Sequence, residues 1–141
     1  MIMPVGITIH CSDSDIDSHD DISVIRKWHT ENGWKGSDGI LGTEDDVGYQ
    51  WFITSSGSIQ AGRSESSLGA HARGHNNTIG ICFSGRNKFS EHQILMGIQL
   101  IKRIIEEYGF KREDIKPHNY YDKNKTCPNF DIDKRILDKI F

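Results

Sequence analysis

The stretch from Ile79 to Gly109 reads IGICFSGRNKFSEHQILMGIQLIKRIIEEYG and decides the class of fold. Its first five residues alternate large apolar with small side chains, the period of two that predicts a strand. Ser90 followed three residues later by Gln93 is a capping-box pattern and predicts the start of a helix, which Gly109 ends. One helical stripe is formed by Ile94, Ile98, Ile101, Ile105 and Tyr108. We therefore expect a long helix that covers one face of a β-sheet.

Further strands and helices flank this stretch in mixed order. Strands are predicted from Gly6 to His10, from Val47 to Ile53, and from Ile59 to Ala61 as the return of a hairpin. Helices are predicted from Ile22 to about Asn32 behind the N-cap pair Asp20-Asp21, and over 132–140 behind Asp131. Because no segment repeats, the pattern predicts an α/β fold with a mixed central β-sheet flanked by helices, in a single domain over 1–141.

Composition excludes several classes of function. The 141 residues suffice for one core but not for a separate binding module. The formal net charge is −3 and the cations are spread along the chain, so we expect no nucleic-acid partner. No apolar run approaches the roughly 20 residues of a membrane helix, and the first residues lack a secretory signal, so we expect cytoplasmic synthesis without membrane insertion. We also expect a monomer.

Three side chains far apart in the sequence form a candidate metal site. His10 ends the first strand, and His118 and Cys127 lie nine residues apart near the C terminus. Two imidazoles and one thiolate suit Zn²⁺ with its fourth position open to water, whose pKa the ion would lower to about 7. On spacing alone, a histidine at a strand end is more often a core or surface imidazole, and a free cysteine is often a small buried hydrophobe.

The chain resembles the zinc-dependent N-acetylmuramoyl-L-alanine amidases of type 2, which include phage amidase-type lysozymes and the peptidoglycan recognition proteins. The matching motifs run in the family's order: Ile9-His10-Cys11-Ser12, Ile25-Arg26-Lys27-Trp28-His29, Val47-Gly48-Tyr49, Gln60-Ala61-Gly62-Arg63, Gly69-Ala70-His71-Ala72-Arg73-Gly74, Ile79-Gly80-Ile81-Cys82, and Pro117-His118 with Lys125-Thr126-Cys127-Pro128. The resemblance implies zinc in a groove above the sheet and hydrolysis of the amide between N-acetylmuramic acid and L-alanine in peptidoglycan. It also implies an endolysin that another factor releases from the host cytoplasm to the cell wall.

Candidate catalytic and substrate-binding residues follow from the same motifs. Tyr49 matches the family's Gly-Tyr pair, although alternation alone would make it a packing residue; its phenol could orient water or bind the reacting carbonyl. Lys125 lies two residues before Cys127, where an extended chain would place both side chains on one side, so its ammonium could stabilise an oxyanion. The catalytic members of the family carry lysine there. His71 lies in a glycine-bounded loop and is interpreted as a groove residue that contacts substrate.

Two segments depart from the family pattern. Gln50 follows Tyr49 where the family commonly has histidine or another aromatic residue, which puts substrate contacts on that strand in doubt. Gly36 to Asp46 is an insertion relative to compact phage members, and we predict a flexible loop beside the groove. Its acidic residues lack the spacing of a calcium-binding EF-hand loop.

Two other functions remain open. The chain could bind peptidoglycan without cutting it, as some family members do, although those usually lack the cysteine ligand that Cys127 supplies. It could also be a cysteine hydrolase in which Cys127 is the nucleophile and His118 the base. The other histidines and cysteines are interpreted as packing or surface residues: His29 faces the core, Cys11 points away from His10, and Cys82 packs on the face opposite Ile81.

Overall fold

A five-stranded mixed sheet forms the centre of the molecule. The computed structural model describes residues 2–32 and 47–141. Its strands are β1 (Ile7–Cys11), β2 (Trp51–Ile53), β3 (Ile59–Ala61), β4 (Ile79–Phe83) and β5 (Ile115–Pro117), and its α-helices are α1 (Ile22–Glu31), α2 (Glu91–Tyr108), α3 (His118–Tyr121) and α4 (Ile132–Arg135). Short 3₁₀ helices cover Asp17–His19, Arg112–Asp114 and Leu137–Lys139.

The strand order is β3-β2-β4-β1-β5. β1 lies between β4 and β5 and is parallel to both, β2 is parallel to β4, and β3 is antiparallel to β2. The predicted mixed sheet is therefore confirmed. Parallel pairing brings the carboxyl ends of β1, β4 and β5 to one edge of the sheet, where ligands bind in many α/β proteins.

The two faces of the sheet pack against different helices. One face buries apolar side chains of β1, β4 and β5 against α2 and α4 and forms the larger core, which includes Ile9, Ile81 and Ile101. The other face packs a smaller cluster that consists of Ile22, Ile25, Val47, Phe52 and Cys82. His10 pairs in register with Cys82, so their side chains share this second face, on the side of α1.

The predicted helix caps are observed, with one difference. Asp21 accepts a hydrogen bond from the Ser23 amide, and Gly109 ends α2 in the left-handed conformation, with φ of 74°. Ser90 accepts from the Gln93 amide, but the Gln93 side chain does not complete a capping box. Its amide donates instead to the carbonyls of Ile53 and Ser84, so this fully buried glutamine ties α2 to the ends of β2 and β4.

Other predicted elements differ in extent. The strand predicted from Val47 begins only at Trp51, because residues 47–50 bend away from regular pairing. The last predicted helix is divided into α4 and a 3₁₀ turn. The sequence pattern does not indicate β5 or α3, because segments of three and four residues are too short to show a periodic signal. Within the described ranges, no helix is both long and apolar enough to cross a membrane.

Candidate metal centre

His10 and His118 meet at the carboxyl ends of two neighbouring parallel strands. Ile9 of β1 pairs with Pro117 of β5, and the residue that follows each of them in the sequence is a histidine. Their rings lie 4.4 Å apart between centroids. His10 is only 1% exposed, whereas His118, the first residue of α3, is half-buried. The strand register therefore places two imidazoles side by side although 108 positions separate them in the sequence.

Cys127 reaches the same point through contacts with the end of β1. The Cys11 amide donates a hydrogen bond to Cys127 Sγ over 2.7 Å, and the Asn119 amide donates to the Cys127 carbonyl over 3.0 Å. These bonds attach the loop after α3 to both β1 and α3. One donor atom from each of His10, His118 and Cys127 then lies within 4.8 Å of the others. Among the described residues, this is the group that could hold a metal ion.

The three donors fit zinc in chemistry as well as in position. Burial, with a smaller contribution from His71 and His118, holds the pKa of His10 well below its usual value, and burial lowers the pKa of His118. Both imidazoles are therefore neutral at neutral pH, as metal ligands must be. The Cys11 side chain and burial raise the pKa of the Cys127 thiol. A cation at this position reverses that preference, since a coordinating thiol is deprotonated.

Tyr49 lies beside His10 of β1 and His29 of α1. Its ring centroid is 5.0 Å from that of His10 and 5.6 Å from that of His29. Burial, followed by the nearby thiols of Cys82 and Cys127, raises the pKa of the phenol well above its usual value. The phenol therefore keeps its proton at neutral pH and can donate a hydrogen bond.

His29, which the sequence indicated only as a core residue, supports the turn that carries Tyr49. It is 8% exposed, and its Nδ1 accepts a hydrogen bond from the Gly48 amide over 2.8 Å. The Gly48 carbonyl accepts in turn from the Ala70 amide. A side chain at position 48 would collide with the Ala70 carbonyl, so the glycine permits this close approach. The Trp28-His29 pair is visible in the sequence as a family motif, but the hydrogen bond from the Gly48 amide to His29 is not.

Lys125 lies at the rim of the site. It is exposed and follows a turn closed by the hydrogen bond from its amide to the Asp122 carbonyl. Two clefts meet here, one of about 390 Å³ and one of about 460 Å³, and both are lined by Tyr49, His118 and Lys125. The three candidate metal-binding residues therefore line the first cleft, and His118 also lines the second.

His71 is partly buried, and its ring is hydrogen-bonded to protein groups. Its ring is edge-on to His10, with centroids 4.9 Å apart, and its Nδ1 is 2.9 Å from His10 Nε2. Its Nε2 is 2.9 Å from the Thr78 carbonyl oxygen. The ring also lines the larger cleft, so substrate contact stays a prediction, while its hydrogen bonds are made to protein groups.

Gln50 belongs to the sheet and not to the groove. It is 1% exposed; its side-chain Nε2 donates to the Ser67 carbonyl, and its Oε1 accepts from the Gly80 backbone amide. The departure from the family pattern at this position therefore falls on a structural residue. The insertion from Gly36 to Asp46 lies outside the described residues.

Known proteins match the chain in sequence and in fold. The family described as N-acetylmuramoyl-L-alanine amidase (Amidase_2) matches residues 3–130. The endolysin of Enterobacteria phage T3 is 32% identical over 140 residues, which cover 95% of this chain and 85% of that protein. The endolysin of Escherichia phage T7 is 31% identical with the same coverage.

Solved structures show the same fold at lower identity. The N-acetylmuramoyl-L-alanine amidase LysC from Clostridium intestinale URNW superposes with a TM-score of 0.77 at 24% identity, covering 95% of this chain and 83% of that one. Wild-type Drosophila PGRP-LB superposes with a TM-score of 0.70 at 22% identity, covering 91% and 76%. The mixed sheet with its flanking helices is thus a fold shared with these proteins.

Proposed function

Because this chain belongs to the N-acetylmuramoyl-L-alanine amidase family, we propose that it hydrolyses the amide bond between N-acetylmuramic acid and L-alanine in peptidoglycan. The single observation that carries the proposal beyond membership is the convergence of His10, His118 and Cys127 at the base of an open groove. Family members without activity would not need a complete set of metal-binding donors.

The proposed cofactor is zinc, held by these three side chains. When bound, a zinc ion with three protein ligands supplies an open position that activates water and polarises a carbonyl. Cys127 contributes the thiolate, and its hydrogen bond from the Cys11 amide fixes the direction of the sulfur. The two neutral imidazoles complete a ligand set whose net charge is −1.

Tyr49 and Lys125 are the proposed catalytic residues. Attack on an amide carbonyl develops negative charge on its oxygen, and preorganised donors lower the energy of that charge. The Tyr49 phenol is protonated and nearly fixed by surrounding rings, so it donates a hydrogen bond from one wall of the groove. The exposed Lys125 ammonium supplies positive charge in the same clefts, where it meets a substrate that enters from solvent.

The proposed place of action is the bacterial cell wall. The chain's relatives in phages T3 and T7 are endolysins, and two clefts that share Tyr49, His118 and Lys125 meet at the site. We propose that the protein is made in the host cytoplasm, reaches the wall after release by another factor, acts as a monomer and binds no nucleic acid.

Digestion of purified peptidoglycan tests the bond assignment directly. Mass spectrometry should detect stem peptides with free L-alanine amino termini and glycan strands of unchanged length. New reducing sugars would mean cleavage of the glycan and would contradict the assignment.

A chelator separates metal chemistry from thiol catalysis. We expect activity to disappear with chelator and to return with Zn²⁺, and Cys127→Ser to abolish turnover while peptidoglycan binding persists. Activity that resists the chelator but is lost to a thiol-alkylating reagent would support a cysteine hydrolase. Binding without turnover, in the presence of zinc, would support the non-catalytic alternative.

A further inference from the structure

A chain of two hydrogen bonds runs from the first metal ligand into the protein. It links His10 Nε2 to His71 Nδ1 over 2.9 Å, and His71 Nε2 to the Thr78 carbonyl oxygen over 2.9 Å. The chain ends at a carbonyl oxygen, which can only accept. The positions of the protons along the chain are therefore determined from its end.

Each proton position follows from the one before it. Since the Thr78 carbonyl accepts, His71 Nε2 must carry a proton. A neutral imidazole carries one proton, so with Nε2 protonated the Nδ1 of His71 has a lone pair. That lone pair accepts the Nε2 proton of His10. His10 then has its own lone pair on Nδ1, the nitrogen that remains to bind a cation.

The surroundings hold His71 in this orientation. Gly80 of β4 leaves room for the ring, because a side-chain carbon there would lie 2.7 Å from it. The His71 and Ala72 amides both donate to Asn76 Oδ1, over 2.7 and 2.9 Å, which fixes the backbone of the loop. Thr78 is anchored to β1 by a 2.6 Å hydrogen bond between its hydroxyl and that of Thr8. The acceptor is thus built into the sheet.

We propose that His71 is a positioning residue for the metal ligand His10: it accepts the Nε2 proton and so orients the ring and selects the tautomer that presents Nδ1 to zinc. This inference rests on the proposed metal site and extends it beyond the three ligands. Hydrogen bonds to the second nitrogen of a ligating histidine typically change metal affinity by about 10- to 100-fold.

Zinc affinity, measured by competition with a chromophoric chelator, tests the inference without substrate. We expect His71→Ala to weaken zinc binding by about 10- to 100-fold. His71→Asn should recover part of the loss, because its amide oxygen can replace Nδ1 as the acceptor. His75→Ala is the matched control: His75 belongs to the same loop but its ring stacks on Tyr121, so its removal should leave zinc affinity unchanged.

The tautomers can also be read in the unaltered protein, so the test does not depend on a variant that folds. Long-range ¹H–¹⁵N spectra of the metal-free protein should show both His10 and His71 protonated on Nε2. Protonation of His10 on Nδ1 would overturn the inference. Unchanged zinc affinity in His71→Ala would also overturn it. If that variant instead has a raised KM and normal zinc affinity, His71 belongs to substrate binding. If zinc affinity depends on His71 but peptidoglycan is not cut, only the proposed activity fails.

Discussion

Tyr49 and Lys125 line the same clefts but differ in how far solvent reaches them. The Tyr49 ring is enclosed by the rings of His10 and His29, whereas Lys125 is exposed. A buried donor needs no reorganisation when charge develops next to it, while an exposed ammonium is screened by water. At the scale of single residues, Tyr49 is therefore expected to contribute more to the rate than Lys125.

Tyr49→Phe isolates the phenol hydroxyl because the ring and its packing remain. We expect kcat to fall by about 100- to 1000-fold, the usual loss when one preorganised donor is removed, with zinc affinity and thermal stability unchanged. Steady-state kinetics on a soluble muropeptide measure the effect, with the exposed Tyr120→Phe as the control. A wild-type kcat in Tyr49→Phe would exclude the hydroxyl from the reaction.

The sequence alone could predict which residues form the site, but it could not predict the hydrogen bonds that His71 and His29 make. Ligand chemistry and motif order predict His10, His118 and Cys127 as metal ligands; the structure brings one donor atom of each within 4.8 Å of the others, and their role as ligands stays a prediction. His71 and His29 were assigned from local patterns, which do not reveal a hydrogen bond to a residue 61 or 19 positions away. Strands with clear alternation were predicted, whereas β5, which contains Lys116 and Pro117, gave no periodic signal.

At the scale of elements, α1 is the support of the Tyr49 turn. Its buried face carries Ile22, Ile25 and His29, so the same helix that closes the smaller core also delivers the acceptor for the Gly48 amide. A shift of α1 would therefore move the backbone that positions the phenol.

His29→Phe should show this link by keeping the ring but removing the acceptor. We expect kcat to fall at least 10-fold, equivalent to about 1.4 kcal/mol, within the range for leaving a buried amide without its partner. His29→Asn should restore part of the rate. In a Tyr49→Phe background, His29→Phe should cost little more, because coupled residues are not additive. The link between His29 and Tyr49 would be contradicted if the two substitutions lowered kcat additively. An equal fall in kcat in the exposed Lys27→Ala variant would also contradict it.

Glu65, between β3 and β4, links strand β2 to helix α2. Its carboxylate accepts from Trp51 Nε1 over 2.7 Å, from the Tyr108 hydroxyl over 3.0 Å and from the Arg103 guanidinium over 2.7 Å. Partial burial alone would raise the pKa of Glu65, but these hydrogen bonds lower it overall. A lowered pKa in the folded state means that ionised Glu65 stabilises the fold above its unfolded-state pKa of about 4.5.

Glu65→Gln should therefore destabilise the protein by about 2 kcal/mol at pH 7, the scale of hydrogen bonds to a charged group. Urea unfolding at several pH values measures the difference from wild type, which should shrink as the pH falls below about 4.5 and the wild-type carboxylate becomes protonated. Glu107→Gln removes an exposed partner of the same Arg103 and should cost about 0.5 kcal/mol or less. A difference independent of pH would rule out the charge as its source.

At the scale of the whole molecule, the proposed ligands join the two ends of the chain. His10 comes from the first strand, and His118 and Cys127 come from the segment after the last strand. A cation bound by all three exists only in the folded protein, so its binding free energy adds to the free energy of unfolding.

Zinc should accordingly raise the unfolding temperature, and the shift should grow with the free zinc concentration. At about 100 times Kd, the expected gain is about 2.7 kcal/mol. Differential scanning calorimetry with and without chelator measures the shift, and Cys127→Ser should remove most of it. An unfolding temperature that does not respond to zinc in the wild-type protein would count against a shared ion.

The two outer strands of the sheet, β3 and β5, have three residues each. Pro117 has no amide hydrogen to offer a neighbouring chain, and Lys116 would bring charge to any such contact. A second copy of the chain could therefore form only a few backbone hydrogen bonds with either outer strand of the sheet. Crowded solutions of the folded protein are expected to resist the strand-by-strand growth that leads to fibrils.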